Sequence, residues 1–226
     1  MSSLTSYALA DGIATIVMDD GKVNALSSAM LRELASALDR AAADEAVVVL
    51  TGRERTFSAG FDLRAEDWQT MLIDGATVAE RLLAFPQPVV VACNGNAVAM
   101  GALLLLCADV RLGADGPFRV GLNEVAIGLT LPWFAIALAR HRLARPAFDR
   151  CTVTGPLLEP AEAAPAGFLD RLVEPERLAD AAREAALELR GVDRAAHAAT
   201  KLRVREEVLA GVRDGHERLR GEPGGW

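Results

Sequence analysis

Residues 89–108, VVVACNGNAVAMGALLLLCA, restrict the fold of this chain more than any other stretch. The run is long and apolar enough to be tested as a membrane span. Its details argue otherwise: residues 89–91 are β-branched, prolines stand at 86 and 88, and Asn94-Gly95-Asn96 interrupts the run. Proline stops a preceding helix, β-branched residues favour a strand, and an Asn-Gly-Asn triplet favours a turn. The stretch is therefore predicted as a buried strand, a turn and a short buried helix over 97–108. That unit belongs in an α/β core, and no membrane partner is expected.

The flanking sequence repeats the alternation. Asp11-Gly12 between apolar runs at 7–10 and 13–18 is a hairpin signal. Ser27 or Ser28 caps a predicted helix to about Ala43, with Met30, Leu31, Leu34 and Leu38 on one side. Residues 47–50 are a continuous apolar strand of the kind buried on both faces. TGRERTFSAGFDL reads as a long loop, followed by a helix over 66–84. Residues 110–112 form a strand, GLNEVAIGLTLP a loop or broken element, and 133–143 and 145–153 helices. A connector with one helical turn leads to a short strand at 172–173. Alanine-rich amphipathic helices over 176–190 and 196–213 close the chain, with GEPGGW as a frayed tail. The order gives an α/β protein with a helical C-terminal part. Residues 1–190 are assigned to the core and 191–226 to a C-terminal helical segment.

At 226 residues and 51% hydrophobic the chain is large enough for one well-filled core. A net charge of −7 disfavours nucleic acid as a partner. Lys201, Arg203 and Arg205 gather near the end, on a solvated helix face or within reach of a ligand phosphate. Cys93, Cys107 and Cys151 lack metal spacing and are predicted to be free buried thiols, so no metal site is expected. The N-terminus lacks the basic segment and apolar core of a signal peptide, and a cytoplasmic location is expected.

Two loops follow buried strands: FSAGFD and NGNAVAMG. Ligands of open parallel sheets sit beyond the carboxyl ends of strands. Glycine lets backbone N–H groups approach a ligand closely, and Met100-Gly101 opens a helix whose first amides lack internal partners. Two such loops can aim two amides at one oxygen; they are also explicable as two tight turns. There is no phosphate-binding G-x-x-x-x-G-K-[ST] and no G-x-G-x-x-G. TFSAG lacks the first glycine of a nucleophile elbow, so Ser58 is a poor nucleophile candidate. His141 near a helix end reads as a dipole partner or a surface residue.

FSAGFDL, NGNAVAMGALLLLCADVRL and NEVAIGLTLP, in that order and preceded by DDGKVNALSSAM, resemble the crotonase superfamily, the enoyl-CoA hydratase/isomerase family. The likeness runs over about 13–173. It implies a crotonase-like (ClpP/crotonase) spiral of ββα units with a helical C-terminal trimerisation region, as a homotrimer or dimer of trimers. It implies an acyl-CoA substrate and no separate cofactor, coenzyme A being part of the substrate. By the motif match, the backbone N–H groups of Phe61 and Met100 form an oxyanion hole for a thioester enolate. Members often have glycine where Met100 stands. Ser58, Ala59, Gly60, Asn96, Gly101, Leu103 and Trp133 are assigned to the substrate site, Trp133 either at the acyl end or in the core. Arg64 or Lys201 is a candidate phosphate partner, and Asp62 looks structural.

Hydratases of the family use two glutamates. Leu103 occupies the place of the first, and Glu124 matches the second. Amid Leu122, Val125, Ala126 and Ile127, Glu124 is expected to be desolvated, with a raised pKa. One carboxylate suffices for a 1,3 proton shift of the Δ3,Δ2-enoyl-CoA isomerase kind. The alternatives are an enoyl-CoA hydratase with an unidentified partner for Glu124, and an acyl-CoA-binding protein with little catalysis. Asn96 and Asn123 hold a water or a polar acyl group, or serve only their turns.

Overall fold

A computed structural model describes residues 3–221; residues 222–226, most of the expected tail, lie outside the described residues. The chain begins with β1 (Thr5–Ala10) and β2 (Ile13–Met18), an antiparallel hairpin. Asp11 and Gly12 turn it with φ of 52° and 69°, the left-handed pair that a two-residue hairpin requires. β3 (Ala25–Leu26) leads into α1 (Ser28–Ala43), whose first turn is capped by the Ser27 hydroxyl accepting from Met30 N at 3.2 Å. Then come β4 (Val47–Gly52), β5 (Thr56–Ser58), β6 (Gly60–Phe61) and α2 (Trp68–Leu83).

The stretch from Val89 folds as β7 (Val89–Cys93), β8 (Asn96–Val98) and α3 (Met100–Cys107). It continues with β9 (Val110–Ala114) and β10 (Val120–Gly121). Beyond a single 3-10 turn (Val125–Ile127), α4 (Trp133–Arg142), α5 (Arg145–Val153), α6 (Pro160–Ala166) and β11 (Arg171–Val173) follow. The chain ends with α7 (Leu178–Leu189), α8 (Arg194–Val204) and α9 (Glu206–Gly221).

The main sheet has the order β1-β2-β4-β7-β9-β11, parallel from β2 onward. A smaller sheet has the order β10-β8-β5. Each long strand of the series β4, β7, β9 is thus followed by a short strand in the second sheet, which is the ββα repeat the resemblance implies. The main sheet is buried on both faces. Val89 and Val91 join the large core with α1 to α4, whereas Val90 and Ala92 meet Leu178, Ala182 and Ala186 of α7. That double burial explains the unbroken apolar runs at 47–50 and 89–93.

Three expectations are corrected. TGRERTFSAGFDL is not all loop, because β5 and β6 lie within it. Residues 97 and 98 are strand rather than helix, paired with Val120 and Gly121; Ala97 N donates to Arg119 O at 2.9 Å. The helix expected over 196–213 is two helices, broken at Arg205, whose side chain turns inward.

That inward turn also corrects the reading of the late basic cluster. Lys201 and Arg205 are buried, and only Arg203 is a solvated member. Lys201 Nζ donates to Asp109 Oδ2 at 2.6 Å and to Gln87 O at 3.2 Å. Arg205 donates to Asp109 Oδ1 at 2.7 Å and to the carbonyls of Leu83, Cys107 and Ala108. These cations hold the carboxyl ends of α2 and α3, where the helix dipoles favour positive charge. Lys201 is therefore committed to the fold rather than to a ligand phosphate. His141 is half-buried beside Arg142, Arg205 and Arg111. Burial first, then those charges, lowers its pKa to about 4, so it is neutral and no charged dipole partner. The three cysteines are free and buried, as expected, and burial pushes the Cys93 and Cys107 thiols up to about 12. Among the described residues, no helix is long and apolar enough to cross a membrane.

Candidate active site

The site is built by two loops that touch. The first is folded by side chains that bond backbone. Asp20 accepts from the amides of Lys22, Asn24 and Ala25 at 2.7 to 3.0 Å. Asn24, fully buried with φ of 52°, donates Nδ2 to the carbonyls of Met18, Thr56 and Phe57. Ser58 Oγ then donates to Asn24 O at 2.7 Å and accepts from Gly60 N at 3.1 Å. Ser58 is thus an internal brace, fully buried. Asp62 accepts from Arg64 N and Nε, each at 3.1 Å, which commits the exposed Arg64 to its own loop.

The second loop ends at Ala99, the residue before α3. Its φ of 50° and ψ of −123° are uncommon for a residue with a side chain. Ala99 N donates to Gly121 O at 2.9 Å, and no side chain caps the first turn of α3. The amide of Met100 is the first of that turn and has no partner within the helix. The loops meet at Gly60 and Gly101. A Cβ on Gly60 would lie 2.8 Å from Ala99 Cβ, 2.9 Å from Val98 O and 3.5 Å from Met100 N. A Cβ on Gly101 would lie 2.7 Å from Ser58 O.

Beside this junction opens a cavity of about 290 Å³. Ala59, Phe61 and Ala99 come from the two loops; Leu63, Trp68, Ile127 and Leu129 add apolar walls. Gly75 of α2 makes room for Phe61, since a Cβ there would strike its ring at 2.6 Å. Polar side chains enter at Asn123, Glu124 and Thr130 only, among the described residues. Glu124 is 7% exposed, and its Oε2 has no protein hydrogen-bond partner. Burial pushes its pKa up from 4.5 to about 7, partly opposed by a hydrogen bond to its own backbone. A carboxyl group poised there exchanges a proton readily near neutral pH.

The remaining expected site residues do not line the cavity. Met100, Gly101 and Leu103 are all buried in α3. The Asn96 side chain is exposed, and its Oδ1 accepts from Arg119 N at 2.7 Å. Trp133 is 55% exposed and lies under the Arg218 guanidinium on another face; its neighbour Pro132 reaches the cavity instead. Trp68, Leu63, Ile127 and Leu129 went unassigned in the sequence because an apolar wall residue looks like any core residue there.

An α/β spiral with a buried, near-neutral carboxyl group facing two glycine-bearing loops is the framework of an acyl-transforming enzyme class. The family model described as enoyl-CoA hydratase/isomerase matches residues 9–215, and the chain belongs to that family. It is 34% identical over 209 residues to a putative enoyl-CoA hydratase of Thermus thermophilus, covering 87% of this chain and 80% of the relative. An enoyl-CoA hydratase/isomerase family protein from Pseudomonas syringae superimposes with a TM-score of 0.95 at 43% identity, over 97% of both chains. An apo enoyl-CoA isomerase of Mtb gives a TM-score of 0.94 at 44% identity, covering 98% of this chain and all of that one.

Proposed function

We propose that this enzyme moves the double bond of a 3-enoyl-CoA to the 2-position, with Glu124 as the sole proton carrier. Glu124 takes a proton from C2 of the thioester, the electron pair moves onto the thioester oxygen, and the same carboxyl group returns the proton at C4. The amides of Phe61 and Met100 receive the negative charge on that oxygen. Preorganised donors of this kind are worth roughly 3 kcal/mol each. The cavity takes the acyl end, and the loop from Ser58 to Gly60 runs beside the nucleotide of the coenzyme. The enzyme works as a homotrimer or a dimer of trimers, for which a mass measurement in solution is the check.

One observation carries this reading: a single buried carboxyl group with a pKa of about 7 opens onto an apolar cavity; by the motif match, Leu103, fully buried, takes the place of a second glutamate. A 1,3 shift asks one group to give back what it took. Purified protein incubated with 3-enoyl-CoA and with 2-enoyl-CoA tests it. Double-bond migration is expected; binding of either thioester without conversion would leave only a binding protein.

A further inference from the structure

Glycine inside a helix gives up more backbone freedom than alanine does. α2 nevertheless carries Gly75 on its buried side, beside Ala76. No positive φ calls for it there. What a side chain at 75 would meet is the ring of Phe61, with a Cβ 2.6 Å from Cζ and 2.7 Å from Cε1. The same Cβ would stand 3.6 Å from Met100 Cε, at the start of α3. The tip of the ring is therefore seated in a notch of α2, next to the Met100 side chain.

Phe61 belongs to the site twice over. Its amide is the proposed donor to the thioester oxygen, and its half-buried ring lines the cavity and packs on the large core. Trp68 and Leu72 lie on the same side of α2 as Gly75, at helical spacing, and both line the cavity. Gly75 does not. The wall that α2 gives the cavity thus ends where the ring covers the glycine. Met71, Ala76 and Met100 around the notch are fully buried. An acyl chain whose carbonyl oxygen meets the Phe61 amide starts beside this ring.

We infer that the Phe61 ring, seated over Gly75, is a specificity-determining stop in the acyl pocket and limits the length of chain the enzyme accepts. The inference rests on the acyl-CoA reading of the cavity given above. Without the ring, the notch over Gly75 becomes part of the pocket, and a longer chain extends between α2 and α3. A methyl group at 75 acts in the opposite sense. It displaces the ring tip from α2 toward the cavity that the ring already lines, and shortens the pocket. A single methylene in an apolar pocket is worth roughly 10- to 200-fold in discrimination, so either change is large enough to measure.

The test is calorimetric titration of wild type, Phe61→Ala and Gly75→Ala with hexanoyl-CoA and with dodecanoyl-CoA. Migration of trans-3-hexenoyl-CoA and trans-3-dodecenoyl-CoA is followed on the same preparations. Phe61→Ala is expected to shift the ratio of the two Kd values at least about fivefold in favour of the longer chain. Gly75→Ala is expected to shift it at least about fivefold in favour of the shorter one. A smaller shift in either folded variant, or a shift in the opposite direction, overturns the inference. Gly75→Ala decides alone if Phe61→Ala does not fold. Binding carries the readout, so shifted ratios without any migration uphold the stop and end the proposed isomerisation. Migration with unshifted ratios does the reverse.

Discussion

Gly60 packs against Ala99 so closely that a methyl group on Gly60 would stand 2.8 Å from the Ala99 Cβ. This contact joins the two loops of the site. Gly60 also has φ of 94°, where a side chain is strained. Gly60→Ala is expected to cost about 2 to 3 kcal/mol, from strain and from separation of the loops. Turnover should fall further than stability explains, because Phe61 and Met100 flank the contact. Denaturant melts and kcat measured on the folded fraction check both; a variant with unchanged kcat would detach the loop junction from catalysis.

Glu124→Gln keeps shape and removes the proposed proton carrier. Turnover should drop by roughly 10² to 10⁴-fold, with coenzyme A thioester binding nearly retained. Calorimetric titration with a substrate analogue beside a rate assay decides it, and a variant with wild-type kcat would end the assignment.

The same residue sets two opposite pH dependences. As the proposed base it must be ionised, so kcat/KM should rise through about pH 7 and level off above. For stability, the folded pKa of about 7 exceeds the unfolded value of 4.5, so the native state holds more protons in that window. Stability contributed at low pH is lost as pH rises from about 4.5 to 7. Above pH 7 Glu124→Gln should therefore be more stable than wild type, by up to about 3 kcal/mol, and equal to it near pH 4. Melts at the two pH values compare them directly; a variant less stable than wild type at pH 8 would contradict the desolvation.

Asp109 is the only carboxylate bonded to the buried Lys201 and Arg205 among the described residues, and it also accepts from Val89 N at 2.7 Å. Asp109→Ala leaves two buried cations unpaired and should cost about 3 to 5 kcal/mol. Loss of less than about 1 kcal/mol in a urea melt would show that water reaches them freely.

Much of this was legible in advance, and what was not has a common cause. The hairpin at Asp11-Gly12, the Ser27 cap and the buried strand from Val89 are local signals, and each stands where the sequence put it. Glu124 was legible through the family motif, and its desolvation through its apolar neighbours. The strands at 56–58, 96–98 and 120–121 were not, because two or three residues form a strand only through partners far along the chain. Asp20 and Asn24 looked like ordinary loop residues, yet they fold the loop that carries Phe61. Lys201 and Arg205 looked solvated because charge density in the sequence says nothing about a single aspartate 92 residues earlier.

The clamp on Asp109 has a consequence for the order of events in a growing chain. The helix whose first amide is proposed to serve the reaction, α3, has its far end gripped by a guanidinium and an ammonium from α8 and its junction with α9. A ribosome must release the chain through Arg205 before that helix is secured. Proteolytic nicking between α7 and α8 should accordingly silence the enzyme while the cavity walls themselves stay uncut, and limited digestion followed by an activity assay would reveal it.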